Sequence, residues 1–345
     1  MKFSAGYQLR EDGAFLNELL RQKERIGEVY FSYSGMPNGR HTDDAHARLT
    51  EWEARRRTDE DLTRLAGAGF AFNLLLNANC YGGRALSKAF LSSVGDCIDE
   101  VSGRFGLASV TTTSPVLAHF VRANFPALEV RASVNMGIGS PAEAEYLGGD
   151  FGGYYAKREY SRDLRRLTVL RDWCRAHGKK LYLLANGGCL YNCPARVFHD
   201  NLVAHERELR EMDNALAYKG QCAEYFARET DRSAYLRRLS FIRPEDVPLY
   251  EGLADGMKLA TRVHRAPEQV LRAYCAGRYT GNLLGLLEPD HAAGLYPSVI
   301  ENSLLPGDFG ETTLRCGRRC EEGEPCGYCA SACERALVRL DGAVL

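Results

Sequence analysis

The amino-acid sequence predicts a (β/α)8 TIM-type barrel over residues 1–278, followed by a cysteine-rich C-terminal extension over residues 279–345. Three observations carry that expectation. Short apolar runs of strand length alternate with stretches of helical character, as in a parallel α/β sheet. Eight such runs precede residue 276, and eight favours a closed barrel over an open sheet. Beyond about Tyr279 the composition turns to Gly, Pro and turn formers, with cysteines crowded near the end.

The elements follow in order. A polar helix is expected at about Phe15 to Arg25, then a strand from Val29 to Gly35 with Ser32 and Ser34 on one face. The turn-rich stretch Met36 to Asp44 places Thr42 and Asp43 to cap a helix running through Arg57. A second strand, Phe70 to Asn77, exits into Ala78, Asn79 and Cys80. A helix at about Ala85 to Glu100, the strand Phe105 to Thr113 and the helix Pro115 to about Ala123 come next. The strand Leu128 to Val134 sets Arg131 and Ser133 on one side and is followed by Asn135. After the helix Pro141 to Leu147, the run Gly152 to Glu159 leads to a helix from Arg162 to His177.

The apolar run Leu181 to Leu184 stops at Asn186, Gly187 and Gly188, and Pro194 suits a first helical position with Cys193 as the cap. Helices are expected over about Val203 to Arg237 with a break near Gly220 and Cys222. Arg238 to Arg243 reads as the seventh strand and Gly256 to Ala260 as the eighth, and the helix Pro267 to Ala276 closes the barrel. The tail beyond reads as too poor in apolar residues to fold by burial alone.

At 345 residues the chain is longer than one usual core but suits a barrel with an extension. Its hydrophobic share of 45%, charged share of 26% and net charge of -1 are those of an ordinary globular protein. No basic excess points to nucleic acid, which stays open as a partner. Arg55, Arg56 and Arg57 share their helix with Glu51, Glu53, Asp59 and Glu60, the pattern of a solvated face. The opening MKFSAGYQLREDG lacks a signal-peptide run, and nowhere do about 18 apolar residues follow one another. No membrane span is therefore expected, and the chain is assigned to the cytoplasm. In that reducing compartment, 12 cysteines point to metal or redox chemistry rather than disulfides.

Those cysteines fall into groups. Cys189 and Cys193, four residues apart after a strand, read as half a metal site, the alternative being two small buried hydrophobes. Cys222 from the following helical segment and Cys80 at the exit of the second strand are expected on the same rim. Cys316, Cys320, Cys326 and Cys329 form a second expected site, a clip for the tail, with Cys333 as a spare. A single cluster built from both groups competes with that division. Cys97, Cys174 and Cys275 lie within helices and read as core or surface thiols.

Three stretches carry a family resemblance: Phe125 to Met136 (FPALEVRASVNM), Tyr154 to Leu167 (YYAKREYSRDLRRL) and Ala254 to Arg262 (ADGMKLATR). In order and spacing they resemble the peptidase U32, or collagenase-like, group, a family of parallel barrels whose studied hydroxylases use a 4Fe-4S cluster. Asp255, Lys258 and Arg262 stand on the positions of that family's signature, whereas Ala260 and Thr261 replace its usual Glu and Gly. Cys189 and Cys193 are placed like the family's cluster ligands.

The resemblance implies an iron–sulfur enzyme with one or two 4Fe-4S clusters, zinc being the alternative for the tail site. The reaction it implies is a dioxygen-independent hydroxylation of an organic substrate, small or a modified macromolecule, as in the family's hydroxylations that draw on a cyclohexadiene diacid. Lys258, Arg262 and Glu159 are the catalytic candidates, with Lys258 and Arg262 holding an anionic group and an interior salt bridge to Glu159 as the structural alternative. Arg131, Asn135, Asn79 and Ser34 are the substrate-binding candidates, since barrel sites gather at the carboxyl ends of strands. Competing readings are a non-catalytic iron–sulfur or zinc subunit acting with a partner, and an RNA-modifying enzyme. Protease machinery is not legible: there is no H-E-x-x-H, no G-x-S-x-G and no cysteine with an obvious histidine partner. His199 and His205 read as solvated.

Overall fold

Eight parallel strands close a barrel in strict chain order, each paired with the next and the last with the first. They are β1 Phe3–Gly6, β2 Ile26–Phe31, β3 Ala71–Leu76, β4 Leu107–Thr112, β5 Glu129–Ala132, β6 Gly153–Tyr155, β7 Lys180–Leu184 and β8 Gly256–Leu259. The structure is a computed structural model that describes residues 1–33, 35–40, 49–216, 218–324 and 326–340. Ser34, Thr42 and Asp43 lie outside the described residues.

The (β/α)8 barrel expected from the sequence is present, but its eight strands are not the eight that were counted. β1 is too short and too poor in branched side chains to stand out, yet Phe3 to Ala5 pair in register with Met257 to Leu259 and close the ring. Conversely, Arg238 to Arg243 is not a strand. Arg238 ends a short helix, and the backbone after it makes no strand ladder, its pairing being an isolated bridge, Leu190 to Leu239, and a hydrogen bond from the Ile242 N–H to the Ala185 carbonyl at 2.8 Å. Its apolar side chains are buried because the segment lies between two cores, Ile242 in one and Leu239 and Phe241 in the other. Burial and strand pairing leave the same hydrophobic signal.

The helices around the barrel are α1 Ala14–Arg21, α2 Glu51–Gly67, α3 Lys88–Phe105, α4 Pro115–Asn124, α5 Pro141–Tyr146 and α6 Leu164–Ala176. Their starts are written in the sequence: Ser87, Ser114, Ser140 and Asp163 each accept a hydrogen bond from the third backbone N–H beyond, and two of these caps precede a proline. For α2 the cap is Thr50, in a reciprocal capping box with Glu53. The main core, in which Phe15, Leu65, Phe72, Val94, Leu167 and Leu271 are buried, lies between barrel and helices.

Between β7 and β8 the chain runs through α7 Arg196–Ala204, α8 Glu206–Arg210, α9 Gln221–Arg228 and α10 Ala234–Arg238. Cys193 is not the cap of α7; Ala195 occupies that place, and Pro194 precedes it in a turn. After β8 come α11 Pro267–Ala276, α12 Ala292–Leu295, β9 Ser298–Ile300, α13 Phe309–Arg315, α14 Tyr328–Ala336 and β10 Leu337–Arg339, which pairs antiparallel with β9.

The tail is buried in a second core that it shares with the insertion before β8. Leu283, Leu287, Leu295, Ile300 and Phe309 are buried together with Phe226, Tyr235, Leu236 and Phe241 of the insertion before β8. Neither segment has enough apolar surface alone; each covers the other. Tail and barrel are also stitched at Gly188, whose N–H donates to the Glu288 carbonyl at 2.8 Å and whose carbonyl contacts His291 Nε2 at 2.7 Å. A side chain at Gly188 would collide with the Pro289 carbonyl, so only glycine permits this approach. Among the described residues no helix is long and apolar enough to cross a membrane.

Candidate functional site

The barrel interior is polar along one layer. Glu28 of β2 accepts from Ser4 at 2.7 Å, from Ser109 at 3.3 Å and from Arg131 at 2.7 Å, while Thr111 donates to Asn73 at 2.9 Å. Arg131 also bonds Glu129 at 2.9 Å and stacks 4.4 Å from the Tyr182 ring centre. The guanidinium of this substrate-binding candidate is thus held between two carboxylates inside the barrel.

Lys258 is different. It projects from β8 with 9% of its surface exposed, and its Nζ sits 3.8 Å from the ring centre of Tyr30 and 5.3 Å from that of Tyr155. Those ring faces are attractive to a cation, but neither Lys258 nor the buried Arg262 forms an ion pair among the described residues. Arg262 Nη1 is buried without a hydrogen-bond partner. Burial first, and the neighbouring Arg262 next, pull the Lys258 amine down to about 7. Burial likewise lowers Arg262 to about 10.

Other cations crowd the same mouth. Arg158 donates to Asn135 and lies 3.5 Å from Asp200. Arg40 reaches Glu288 only at 4.0 Å. Glu159 is bound by Arg196 at 2.8 Å, so the salt bridge expected between Glu159 and Lys258 or Arg262 is replaced by one to Arg196. Asn79 keeps a buried oxygen with no partner. Asn186 ties the end of β7 to that of β8, accepting from the Ala260 N–H at 2.6 Å.

Three cysteines border this mouth. The Cys189 thiol is raised by burial and has Arg158, Arg40, Asp200 and Glu159 as its charged neighbours. Cys222, also raised by burial, has Cys189 and Cys193 as neighbours. His199 stands beside Cys222, both within 4.0 Å of the direction a Gly220 side chain would take. Read from the sequence as solvated, His199 is half-buried, and burial lowers its pKa, which favours the neutral, ligand-competent imidazole.

Cys80 lies elsewhere on the rim. Its thiol accepts the Gly82 N–H at 3.4 Å and has His205 as its foremost electrostatic neighbour, and both lower its pKa. His205 Nδ1 is in turn 2.6 Å from Glu208, and Cys80 and Glu208 raise its pKa. A cysteine–histidine pair is not legible from local pattern here, because the partners are 125 residues apart.

The tail cysteines form a distinct group: Cys316, Cys320 and Cys326 are all charge neighbours of Cys329, whose thiol is raised by burial. As the side chains stand, no three Cys, His or carboxylate donors among the described residues converge closely enough to enclose a metal ion. The donor chemistry nonetheless suits a thiophilic metal in both groups, three thiols with an imidazole at the mouth and four thiols in the tail. Sequence reasoning missed Arg40, Arg196 and Asp200 and read His199 as solvated; Arg40 follows β2, and the other three stand on α7, the helix after β7.

No family model matches the chain. It is 28% identical over 271 residues to an uncharacterized protease, MJ1657, of Methanocaldococcus jannaschii, covering 77% of each protein. Among solved structures it is similar to the U32 peptidase Mk0906, with a TM-score of 0.51, 15% identity, and coverage of 75% of this chain and 91% of the other. That likeness is one of fold.

Proposed function

We propose, from the premise that this chain is a member of the peptidase U32 group, that it is an enzyme binding an anionic organic substrate in the barrel mouth. The reaction in this reading is a dioxygen-independent hydroxylation, with an iron–sulfur cluster held by Cys189, Cys193 and Cys222 and with His199 as the fourth donor. The observation that carries it is the pair Lys258 and Arg262, buried at the mouth with no ion-pair partner among the described residues. Buried charges are normally paired, so two free cations in a mouth prepare a place for an anion.

The chain's own residues divide the work. Arg262 presents its unpartnered Nη1 to an acid group of the substrate, and Lys258 adds a second charge once it takes up a proton. Tyr30 and Tyr155 wall the amine and keep water from it. Arg196 holds the Glu159 carboxylate in place at the rim, so Glu159 positions rather than binds. A cluster held by these cysteines would supply redox-active iron. Purification without oxygen, followed by ultraviolet–visible and Mössbauer spectroscopy, tests the reading. Iron and sulfide bound to the protein, and lost from the barrel site in Cys189→Ser with Cys193→Ser, are expected. A chain that takes up no iron even after anaerobic reconstitution overturns it.

A second reading rests on the neighbouring series Cys80, His205 and Glu208, the last two in contact at 2.6 Å, which has the order of a nucleophilic thiol, its base and the group that orients the base. The similar protein's name, a protease, agrees with it. In this reading Cys80 reacts with iodoacetamide faster than the exposed Cys326 at pH 7, and His205→Ala removes the advantage. Equal rates at the two cysteines sink it.

A further inference from the structure

We propose that Cys316, Cys320, Cys326 and Cys329 form a tetrathiolate site for a thiophilic divalent metal, and that the buried guanidiniums of Arg162 and Arg318 are its counter-charges. The site is separate from the barrel mouth and does not depend on the reading of that mouth.

The arginines are the unexplained feature. Arg162 and Arg318 are 4% and 5% exposed, and each is the other's charged neighbour to the extent that Arg162 is the foremost charge acting on Arg318. Neither forms an ion pair among the described residues. Arg162 donates to the carbonyls of Leu236 at 2.8 Å and Leu239 at 2.7 Å, and Arg318 to those of Arg237 at 2.5 Å and Leu239 at 2.9 Å. Carbonyls satisfy N–H groups but do not neutralise charge, and Arg162 Nε and Nη1 and Arg318 Nε remain buried without partners. Aromatic faces help a little: Phe241 lies 4.8 Å from the first guanidinium and Tyr191 4.2 Å from the second.

Two adjacent buried cations with no anion are costly. The thiols of Cys316 and Cys329 are charge neighbours of both arginines; so is the Tyr250 hydroxyl, but burial raises its pKa and it donates to the Ser161 carbonyl, so it stays neutral. Asp246, also near Arg162, is already committed to Arg243 at 2.8 Å. A free thiol carries no charge, whereas a metal-bound one is deprotonated outright. Four thiolates around a divalent ion leave two net negative charges, the number that two guanidiniums balance.

The backbone supports the same assignment. Arg318 adopts a left-handed conformation, φ 55, rare for a side chain of its size, and its N–H points to Cys316 Sγ at 3.4 Å. Cys329 sits in the first turn of α14, where the helix dipole favours a thiolate. Cys333, which follows on the same helix, is packed in the second core at 3% exposure and is left out. As the side chains stand the four sulfurs do not converge, so the site requires that metal binding draw them together, which would tie the tail to the insertion.

The test uses the full chain loaded with Zn2+ or, for spectroscopy, Co2+. Zinc should protect Cys316, Cys320, Cys326 and Cys329 from alkylation, as mapped by mass spectrometry, and Co2+ should give the intense absorption of tetrahedral thiolate coordination. Cys326→Ser with Cys329→Ser should remove that absorption and one equivalent of metal. Arg318→Met should speed loss of metal to a chelator by roughly 10–100-fold, the range for removing an outer-shell partner, with Arg318→Lys partly restoring it. Alkylation of all four thiols in the zinc-loaded wild-type chain overturns the site without requiring any variant to fold. Metal retention unchanged in Arg318→Met overturns the role of the arginines.

Discussion

Two layers of one barrel treat charge in opposite ways. In the inner layer Glu28 and Arg131 meet at 2.7 Å, and hydroxyls and an amide from the flanking strands fill the remaining bonding directions. At the mouth Lys258 and Arg262 are as deeply buried but face rings and each other. The paired charges stand on β2 and β5, whereas Lys258 projects from β8 and Arg262 from the segment just beyond it, all within one closed barrel. A paired charge contributes to a unique fold, whereas an unpaired one costs stability until something binds. The inner layer therefore reads as structure and the mouth as site.

The largest effect that sharpens this contrast is expected at Glu28. Glu28→Gln keeps the shape but leaves Arg131 with Glu129 alone, and breaking a buried pair costs about 3 kcal/mol or more. Urea unfolding reads the loss, and Arg131→Met added to Glu28→Gln should recover part of it, because the stranded charge is then gone. A loss below about 1 kcal/mol would make the inner layer no better paired in effect than the mouth, and the distinction would fail.

How much of this could be read beforehand depended on distance along the chain. The helix caps at Ser114 and Ser140 and the β8 motif with Lys258 and Arg262 are local, and local pattern displays them. The crowding of the tail cysteines is visible for the same reason, since they lie within a short stretch. What was not legible is pairing across the barrel. Arg131 looked like a substrate ligand because nothing near it announces Glu28, 103 residues away. Glu159 looked like a partner for Lys258 until Arg196 claimed it. The false strand at Arg238 to Arg243 and the missed β1 show the other limit. An apolar run reports that a segment is covered, and not what covers it.

The smaller effect, and the one that separates a binding mouth from a merely strained one, is the pH dependence of Lys258. Its amine is lowered from 10.5 to about 7 in the folded chain. Between those values the unfolded chain binds the proton that the folded chain lacks, so this group makes stability rise as pH rises through that window. Lys258→Met removes the buried amine, and should therefore raise the melting temperature more at pH 6 than at pH 9. Anion binding has the opposite sign. A carboxylate at the mouth is held best when Lys258 is charged, so affinity for a small dicarboxylate such as malonate should fall as pH rises above about 7, by at most about tenfold per unit for a single proton. Lys258→Met should weaken the complex by about tenfold at pH 6 and flatten that slope. Calorimetry in buffers of different ionisation enthalpy would show the wild-type chain taking up a proton on binding and the variant not. Affinity that is flat from pH 6 to 9 in the wild-type chain would mean that the amine never meets the anion, and Lys258 would join Arg131 as a part of the barrel's interior.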